Sequence, residues 1–501
     1  MKKERFKKGW RSPSKSELAA LLEKCSESSD FVTFKFHEQS PFAISYYQTL
    51  VDKKVLQTSI LDTLKEKEKE WSTVEEIKEA VPIENMTITS QISDIRDKLM
   101  SGHILIYKEE DPSECLLISA ANVQARQISV PETEYTVVGP KESFVESIET
   151  NVTLVRKRLP TPDFKTKELT VGNVTKTRVM VVYIDGIVSQ ENVNTVIQRI
   201  DDITYDKIVD ASFINQMIAD NPSSPFPQMV DTERPDRVAS DLSEGKVAIL
   251  VDGSPSALTG PTTLTEFFTA FEDYFTIWEM ATVFRLIRLF AIVFSVLSTP
   301  LYVAVLTYHY EVVPQDVLTS LFASRAGIPF PPLMEAIILE LTIELLREAG
   351  ARLPTKVGQT IGIVGGIVIG TAAVQAGITS NILLIIVALA ALASFTTPVY
   401  QISNAVRLIR FPFLIGAGLL GFFGIAVCSA ILLAHLLKIK SLGRPYLAPV
   451  YPVRLKDLKD AFIRLPFDKQ ITRPMELRPE QPFKFRPKPK PNTKNDLDID
   501  E

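Results

Sequence analysis

Residues 289–308, 357–406 and 411–437 contain no Asp, Glu, Lys or Arg. About 20 apolar residues, rising 1.5 Å each, cross the hydrocarbon of a bilayer. The first stretch is therefore a predicted span. The second is too long for one crossing, and a break at Gly377-Ile378-Thr379-Ser380-Asn381 makes it a hairpin of two. The third is another span. This places crossings at about 289–308, 357–376, 382–402 and 411–437, inside a transmembrane domain covering 281–440.

Between the first two runs lies a segment that sits poorly in oil. It starts at Pro331-Pro332, which suits the first turn of a helix, and is expected to stop at Gly350 with Pro354 beyond. Over 331–349, Glu340, Glu344 and Glu348 fall four apart and share one face, beside an apolar stripe of Ile337, Leu341 and Leu345. A carboxylate at the bilayer centre costs roughly 2.5 kcal/mol or more unless it meets water or a partner. Three readings follow: an interfacial or re-entrant amphipathic helix with its acids in water, internal pairing with Arg347 or Arg352, or a water-filled ion path. The acidic segment is thus a fifth element of open status.

The rest of the chain is different in kind. A mean hydropathy of +0.11 with 23% charged residues resolves by position, because residues up to about 288 are mixed and charge-rich. A basic, disordered arm is expected over 1–30. The segment 31–138 reads as a first α/β subdomain: a helical pattern over 42–71, a capping box of Ser72 with Glu75, a helix over 92–100 closed by Gly102, and strands at 104–107 and 115–119. A helical connector over 139–165 leads to a second α/β subdomain over 166–280. There, strands 178–184 and 246–251 each run into Asp-Gly, at Asp185 and Asp252, which read as turn formers rather than ligands. Residues 441–501 form a polar, proline-rich tail. The fold class is a multi-domain membrane protein: two N-terminal α/β soluble subdomains, an α-helical transmembrane domain of four to five spans and a disordered Pro-rich tail.

Composition excludes some functions. A net charge of −5 argues against nucleic-acid partners. Three cysteines and four histidines are scattered without metal spacing, so no metal, cofactor or disulfide framework is expected. Nucleotide loops and catalytic motifs are absent from the sequence, so no enzyme is expected. Gly358, Gly362, Gly366 and Gly370 form a small-residue ridge, suited to close helix packing within the chain, between protomers or around a pore. A loop punctuated by Pro225 and Pro227 and followed by Glu233, Arg234 and Asp236 reads as a rigid surface connection or as a subunit or interdomain contact.

Several long strings occur in order: Gly139-Pro140-Lys141, Ser224-Pro225-Phe226-Pro227-Gln228, Thr232-Glu233-Arg234-Pro235-Asp236, Thr342-Ile343-Glu344-Leu345-Leu346-Arg347-Glu348-Ala349-Gly350, Gly358-Gln359-Thr360-Ile361-Gly362 and Gly443-Arg444-Pro445-Tyr446. Through them the chain resembles the A subunit of the GerA-type spore germinant receptors from about residue 139 to 466. The resemblance implies a multi-pass protein of the spore inner membrane with its N-terminal domain cytoplasmic. It implies a transporter-like B subunit and a lipoprotein C subunit as partners, and a homo-oligomer that transmits a nutrient signal and conducts monovalent cations. On that reading Glu340, Glu344 and Glu348 line the path, and the glycine ridge sets its width. The rival readings are a non-conducting scaffold and a secondary transporter.

Overall fold

The computed structural model describes residues 15–35, 40–66, 71–121, 131, 134, 136, 138–352, 366 and 368–485. It divides into two units. One comprises residues 1–219, 229–261 and 470–501; the other comprises 220–228 and 262–469.

The first unit is built twice over. Its first lobe runs α1 (Lys15–Ser26), β1 (Phe31–Lys35), β2 (Phe42–Tyr47), a π-helical turn Val55–Leu61 leading into α2 (Asp62–Glu66), α3 (Val74–Ala80), β3 (Met86–Thr89), α4 (Ile92–Leu99), β4 (His103–Lys108) and β5 (Cys115–Ser119). The second lobe runs α5 (Ile148–Arg158), β6 (Phe164–Val171), β7 (Thr177–Ile184), α6 (Gln190–Asp201), α7 (Ala211–Ile218), β8 (Val230–Thr232), α8 (Pro235–Glu244), β9 (Val247–Val251) and β10 (Ala257–Gly260). Both sheets are antiparallel throughout, and their strand orders, β1-β2-β4-β5-β3 and β6-β7-β9-β10-β8, are the same order repeated.

Period-two packing explains the central strands. On one face of the first sheet, Ile104, Ile106, Leu116 and Ile118 meet Leu56, Ile60 and Ile77; on the other, Leu105, Cys115 and Leu117 meet Leu18, Leu21, Ile95 and Leu99. Both faces are covered, so the strands read as unbroken apolar runs. In the second lobe Phe144, Ile148, Val152 and Val155 pack on Phe164, Met180, Val182 and Leu250 in the same way.

The repeat corrects three expected boundaries. Residues 15–30 are no loose arm, because α1 buries Leu18, Leu21 and Cys25 as the opening helix of the first lobe. Segment 139–165 is no connector, because α5 is the opening helix of the second. Part of the expected 42–71 helix is the strand β2, whose six residues are all buried. The capping box is displaced by one residue: Thr73 accepts from Glu76 N, and Glu76 returns a carboxylate oxygen to Ser72 N at 3.1 Å. The Asp-Gly turns stand as read, with Gly186 at φ +73° and Gly253 at φ +84°.

A buried charge joins the lobes. Arg156 of α5 donates to both carboxylate oxygens of Asp30, at 2.7 and 2.9 Å, and lies over the rings of Tyr47 at 4.2 Å and Phe164 at 4.5 Å. Asp30 also accepts from Ser28, Thr49 and Thr166. The tail is corrected too, since residues 470–485 return to the second lobe. There Arg473 donates to Ser243 O at 2.7 Å, Asn192 to Leu477 O at 3.2 Å, and Glu480 N to Ile187 O at 3.0 Å.

The second unit is helical: α9 (Trp278–Tyr308), α10 (Gln315–Ser324), α11 (Pro332–Arg352), α12 (Asn381–Ser394), α13 (Tyr400–Leu420), α14 (Phe422–Lys438), a two-stranded ribbon β11 (Lys440–Ser441) and β12 (Arg444–Pro445), and α15 (Leu455–Phe462). Among the described residues, α9 and α13 are long and apolar enough to cross a membrane, while α12 and α14 are shorter apolar helices. The expected span 289–308 is the body of α9, which begins earlier. Most of 357–376 lies outside the described residues. The expected 382–402 ends at Ser394, ahead of Pro398, which disfavours helix in the residue before it. The expected 411–437 is two helices, broken at Gly421 with φ +61°.

Two outcomes follow for the first unit. Substituting Asp30→Asn leaves Arg156 without its counter-charge and is expected to destabilise the lobe junction by about 3 kcal/mol. Amide exchange in β1, β2 and α5 of the full chain, roughly a hundredfold faster, is the check. Asp231 on edge strand β8 is the second. Burial pushes its carboxyl up to about 6, with a hydrogen bond from Ser256 opposing and Asp210 adding to the rise. An unfolded Asp titrates near 3.9, so the folded state holds the extra proton between those values. Stability from this group is complete below about 3.9 and is lost as pH rises through about 6. Asp231→Asn should therefore slow exchange in β8 and β10 relative to the parent at pH 8, by about 1–3 kcal/mol, and change little near pH 4.

Candidate functional site

Glu340, Glu344 and Glu348 do share a face of α11, as their spacing requires, but they live in three environments. Glu340 is 1% exposed. Its Oε2 accepts from Arg410 of α13 at 2.6 Å and its Oε1 from Thr299 of α9 at 3.1 Å. Arg410 also donates to Ser295 of α9 at 2.6 Å and to Ala390 O of α12 at 3.3 Å. One buried ion pair thus ties four helices together. Glu344 is partly open: Arg347 lies at 3.2 Å and Arg407 of α13 at 4.0 Å, and Arg347 donates to Asn404 at 3.0 Å. Glu348 is exposed beside an exposed Arg352. Burial therefore falls along the face, from sealed to half-open to solvated.

A second sealed carboxylate sits at the start of the same helix. Glu335 is fully buried and accepts from Arg325 at 2.8 and 3.1 Å. Its other oxygen takes Ser380 N at 3.3 Å, at the N-terminus of α12, where a negative group is favoured. Ser380 caps α12 through Leu383 N and meets Tyr302 OH at 3.2 Å. Sequence reasoning missed Glu335, Arg407 and Arg410 as site residues. The expected spans leave the two arginines between them, yet they are interior to α13, three apart and so on one helix face, where Arg410 meets Glu340 and Arg407 meets Glu344. Gly350, expected as the stop, is also interior, and α11 runs on to Arg352.

Gly358 and Gly362 lie outside the described residues. A Cβ on Gly366 would meet nothing among the described residues, and one on Gly370 would touch Leu384. The tight crossing is elsewhere: a Cβ on Gly424 of α14 would collide with Gly416 O of α13, so this antiparallel pair packs backbone to backbone.

Of the proline-loop residues, Arg234 and Asp236 are intrachain. Arg234 is buried, pairs with Asp236 at 2.7 Å and donates to Pro140 O at 3.1 Å, while Glu233 O accepts from Phe144 N at 2.8 Å. These contacts tie Glu233 and Arg234 to Pro140 and Phe144 within the second lobe, and the expected role of the loop as a subunit or interdomain contact stands as a proposal. Pro225 and Pro227 flank a buried Phe226 that belongs to the helical unit. Beside it, Ser224 meets His435 Nε2 of α14 at 2.9 Å.

The family model for the Bacillus/Clostridium GerA spore germination protein matches residues 19–476. The chain belongs to that family. It is 50% identical over 486 residues to spore germination protein GerQA of Bacillus cereus, covering 96% of this chain and 97% of that one. To spore germination protein GerIA of the same organism it is 48% identical over 465 residues, covering 92% of this chain and 69% of that one. A crystal structure of the N-terminal domain of the A subunit of the Bacillus megaterium spore germinant receptor GerK3 matches at 29% identity and a TM-score of 0.37, covering 51% of this chain and 98% of that one.

Removing one partner of the buried pair leaves a charge with nowhere to go. Arg410→Leu is expected to cost the GerA-family chain about 3–5 kcal/mol, whereas Glu340→Leu with Arg410→Leu should recover most of it. Thermal unfolding of the detergent-solubilised single and double variants measures the coupling.

Proposed function

We propose that this protein is the A subunit of a nutrient germinant receptor of the spore inner membrane. Its helical unit is embedded in the bilayer and its two-lobed unit is cytoplasmic. It works with a transporter-like B subunit and a lipoprotein C subunit. Copies of the chain assemble so that the open end of the α11 carboxylate face, Glu344 and Glu348, faces an aqueous passage for monovalent cations. Glu340 holds the wall rather than the path, because Arg410 already neutralises it. The observation that carries this reading is the graded face itself: a sealed pair inside an apolar bundle, followed one and two turns on by carboxylates increasingly open to water. Rings of carboxylates favour cations.

Nutrient captured by the B subunit would favour one of two arrangements of the oligomer through differential contacts. The chain passes between its two units at 219/220, 228/229, 261/262 and 469/470, so a rearrangement of one has four covalent routes to the other.

The competing reading is a scaffold that conducts nothing, and a specific observation favours it. Each of the three acids has an arginine within ion-pair distance: Arg410, Arg347 and Arg352.

Replacing Glu344 by Gln discriminates between the two. Cation release from nutrient-triggered spores should fall by about tenfold, roughly the 1.4 kcal/mol expected from losing one partly exposed charge in the path, with the subunit still present by immunoblot. Unchanged release, together with silent recordings from the reconstituted protein, would favour the scaffold.

A further inference from the structure

We infer that the segment following the last apolar helix, residues 447–469, is an interfacial anchor that binds anionic lipid headgroups, together with the exposed apolar start of α9. This rests on the membrane placement of the helical unit proposed above and adds a ligand and a surface to it.

Depth comes first. The uncharged run of α9 begins at Leu289, and α15 packs beside that point: Ala461 and Phe462 line a small crevice with Phe268, Arg285 and Leu289. Segment 447–469 is thereby held at the level where the chain enters hydrocarbon. The turn before that level exposes large apolar side chains, with Ile277 at 70% and Met280 and Phe284 also exposed. The later segment adds Val453 at 67%, Phe467 at 61% and Tyr451 at 60%. Exposed apolar and aromatic side chains of this kind are poorly suited to bulk water and well suited to the acyl–headgroup boundary.

Charge selects the occupant. Between residues 438 and 469 the chain has Lys438, Lys440, Arg444, Arg454, Lys456, Lys459, Arg464 and Lys469 against Asp457, Asp460 and Asp468, eight less three, or +5, in a chain of net −5. Arg444 and Arg464 are buried, and the latter stacks over Phe467 at 4.3 Å. The nearby Arg285 and Arg288 are held by Asp273. By sequence the remaining basic residues, Lys438, Lys440, Arg454, Lys456, Lys459 and Lys469, outnumber the three acids two to one. Basic residues interleaved with exposed aromatics beside a span fit anionic headgroups better than a neutral or acidic apolar protein face.

The test uses the full chain in nanodiscs of phosphatidylcholine, alone or with an anionic fraction of phosphatidylglycerol, read by amide hydrogen exchange. Each basic side chain near an anionic surface is worth roughly fivefold in partitioning, so amides of 447–469 should exchange about tenfold slower in the anionic discs. High salt should erase the difference. Lys456→Glu with Lys459→Glu and Lys469→Glu should abolish it, the matching Lys→Arg triple should keep it, and exchange in the two-lobed unit reports intact folding in both. Equal exchange in the two lipids overturns the inference while leaving the membrane reading intact. Protection that appears in detergent and grows with protein concentration overturns it as well, by making a second copy the occupant. A chain that does not enter the discs at all overturns the membrane reading and this anchor together.

Discussion

A charge withdrawn from water must be met by a counter-charge, and the helical unit is organised around that requirement. Glu340 meets Arg410, and the same arginine reaches the hydroxyl of Ser295 and the carbonyl of Ala390, so α9, α11, α12 and α13 are all bound to one point. Without it, α11 would carry a carboxylate into the bundle at prohibitive cost. Glu335 with Arg325 and Asp273 with Arg288 repeat the device at two further places in the same unit. Such pairs give modest net stability, but they are directional. They hold helices in one register, where apolar contact alone would allow sliding.

The two-lobed unit uses the same logic at a different scale. Two copies of one α/β pattern stand side by side, and Arg156 with Asp30 supplies the polar junction between them. The guanidinium lies over the rings of Tyr47 and Phe164, and both charges are shut off from water. Duplication explains why segments on the lobes' margins, α1 and α5, are structural. Each opens its lobe and covers the same face of its sheet.

Legibility in the sequence followed burial symmetry. Strands β4, β5, β7 and β9 lie inside their sheets, are covered on both faces, and were read within about one residue of their ends. The edge strands β1, β3, β6 and β8 are absent from the sequence reading, because an edge strand has one margin in water and tolerates polar residues such as Lys167-Glu168, and interior β10 is absent because its four residues are too few to show a period. Strand β2 was taken for helix since its apolar residues run into a helical segment at a compatible spacing. In the helical unit, the expected spans 382–402 and 411–437 leave Arg407 and Arg410 between them. A search for uncharged runs has no means of seeing the carboxylates that receive an arginine inside a helix.

By itself the sequence determined the existence of an apolar helical unit, the helix carrying the acidic face, the central strands and the family, since each depends on local periodicity or on strings of identical residues. Tertiary structure alone decided which acids are sealed and which are open to water. Glu340, Glu344 and Glu348 are equivalent in spacing and become unlike through neighbours roughly 60 to 70 positions away in the chain, above all Arg407 and Arg410. It also decided where residues 470–485 go, since their return to the second lobe is made of backbone and side-chain hydrogen bonds with no signature in local sequence. Local propensity acts over a few residues, whereas neutralising a buried charge depends on what the whole fold brings beside it.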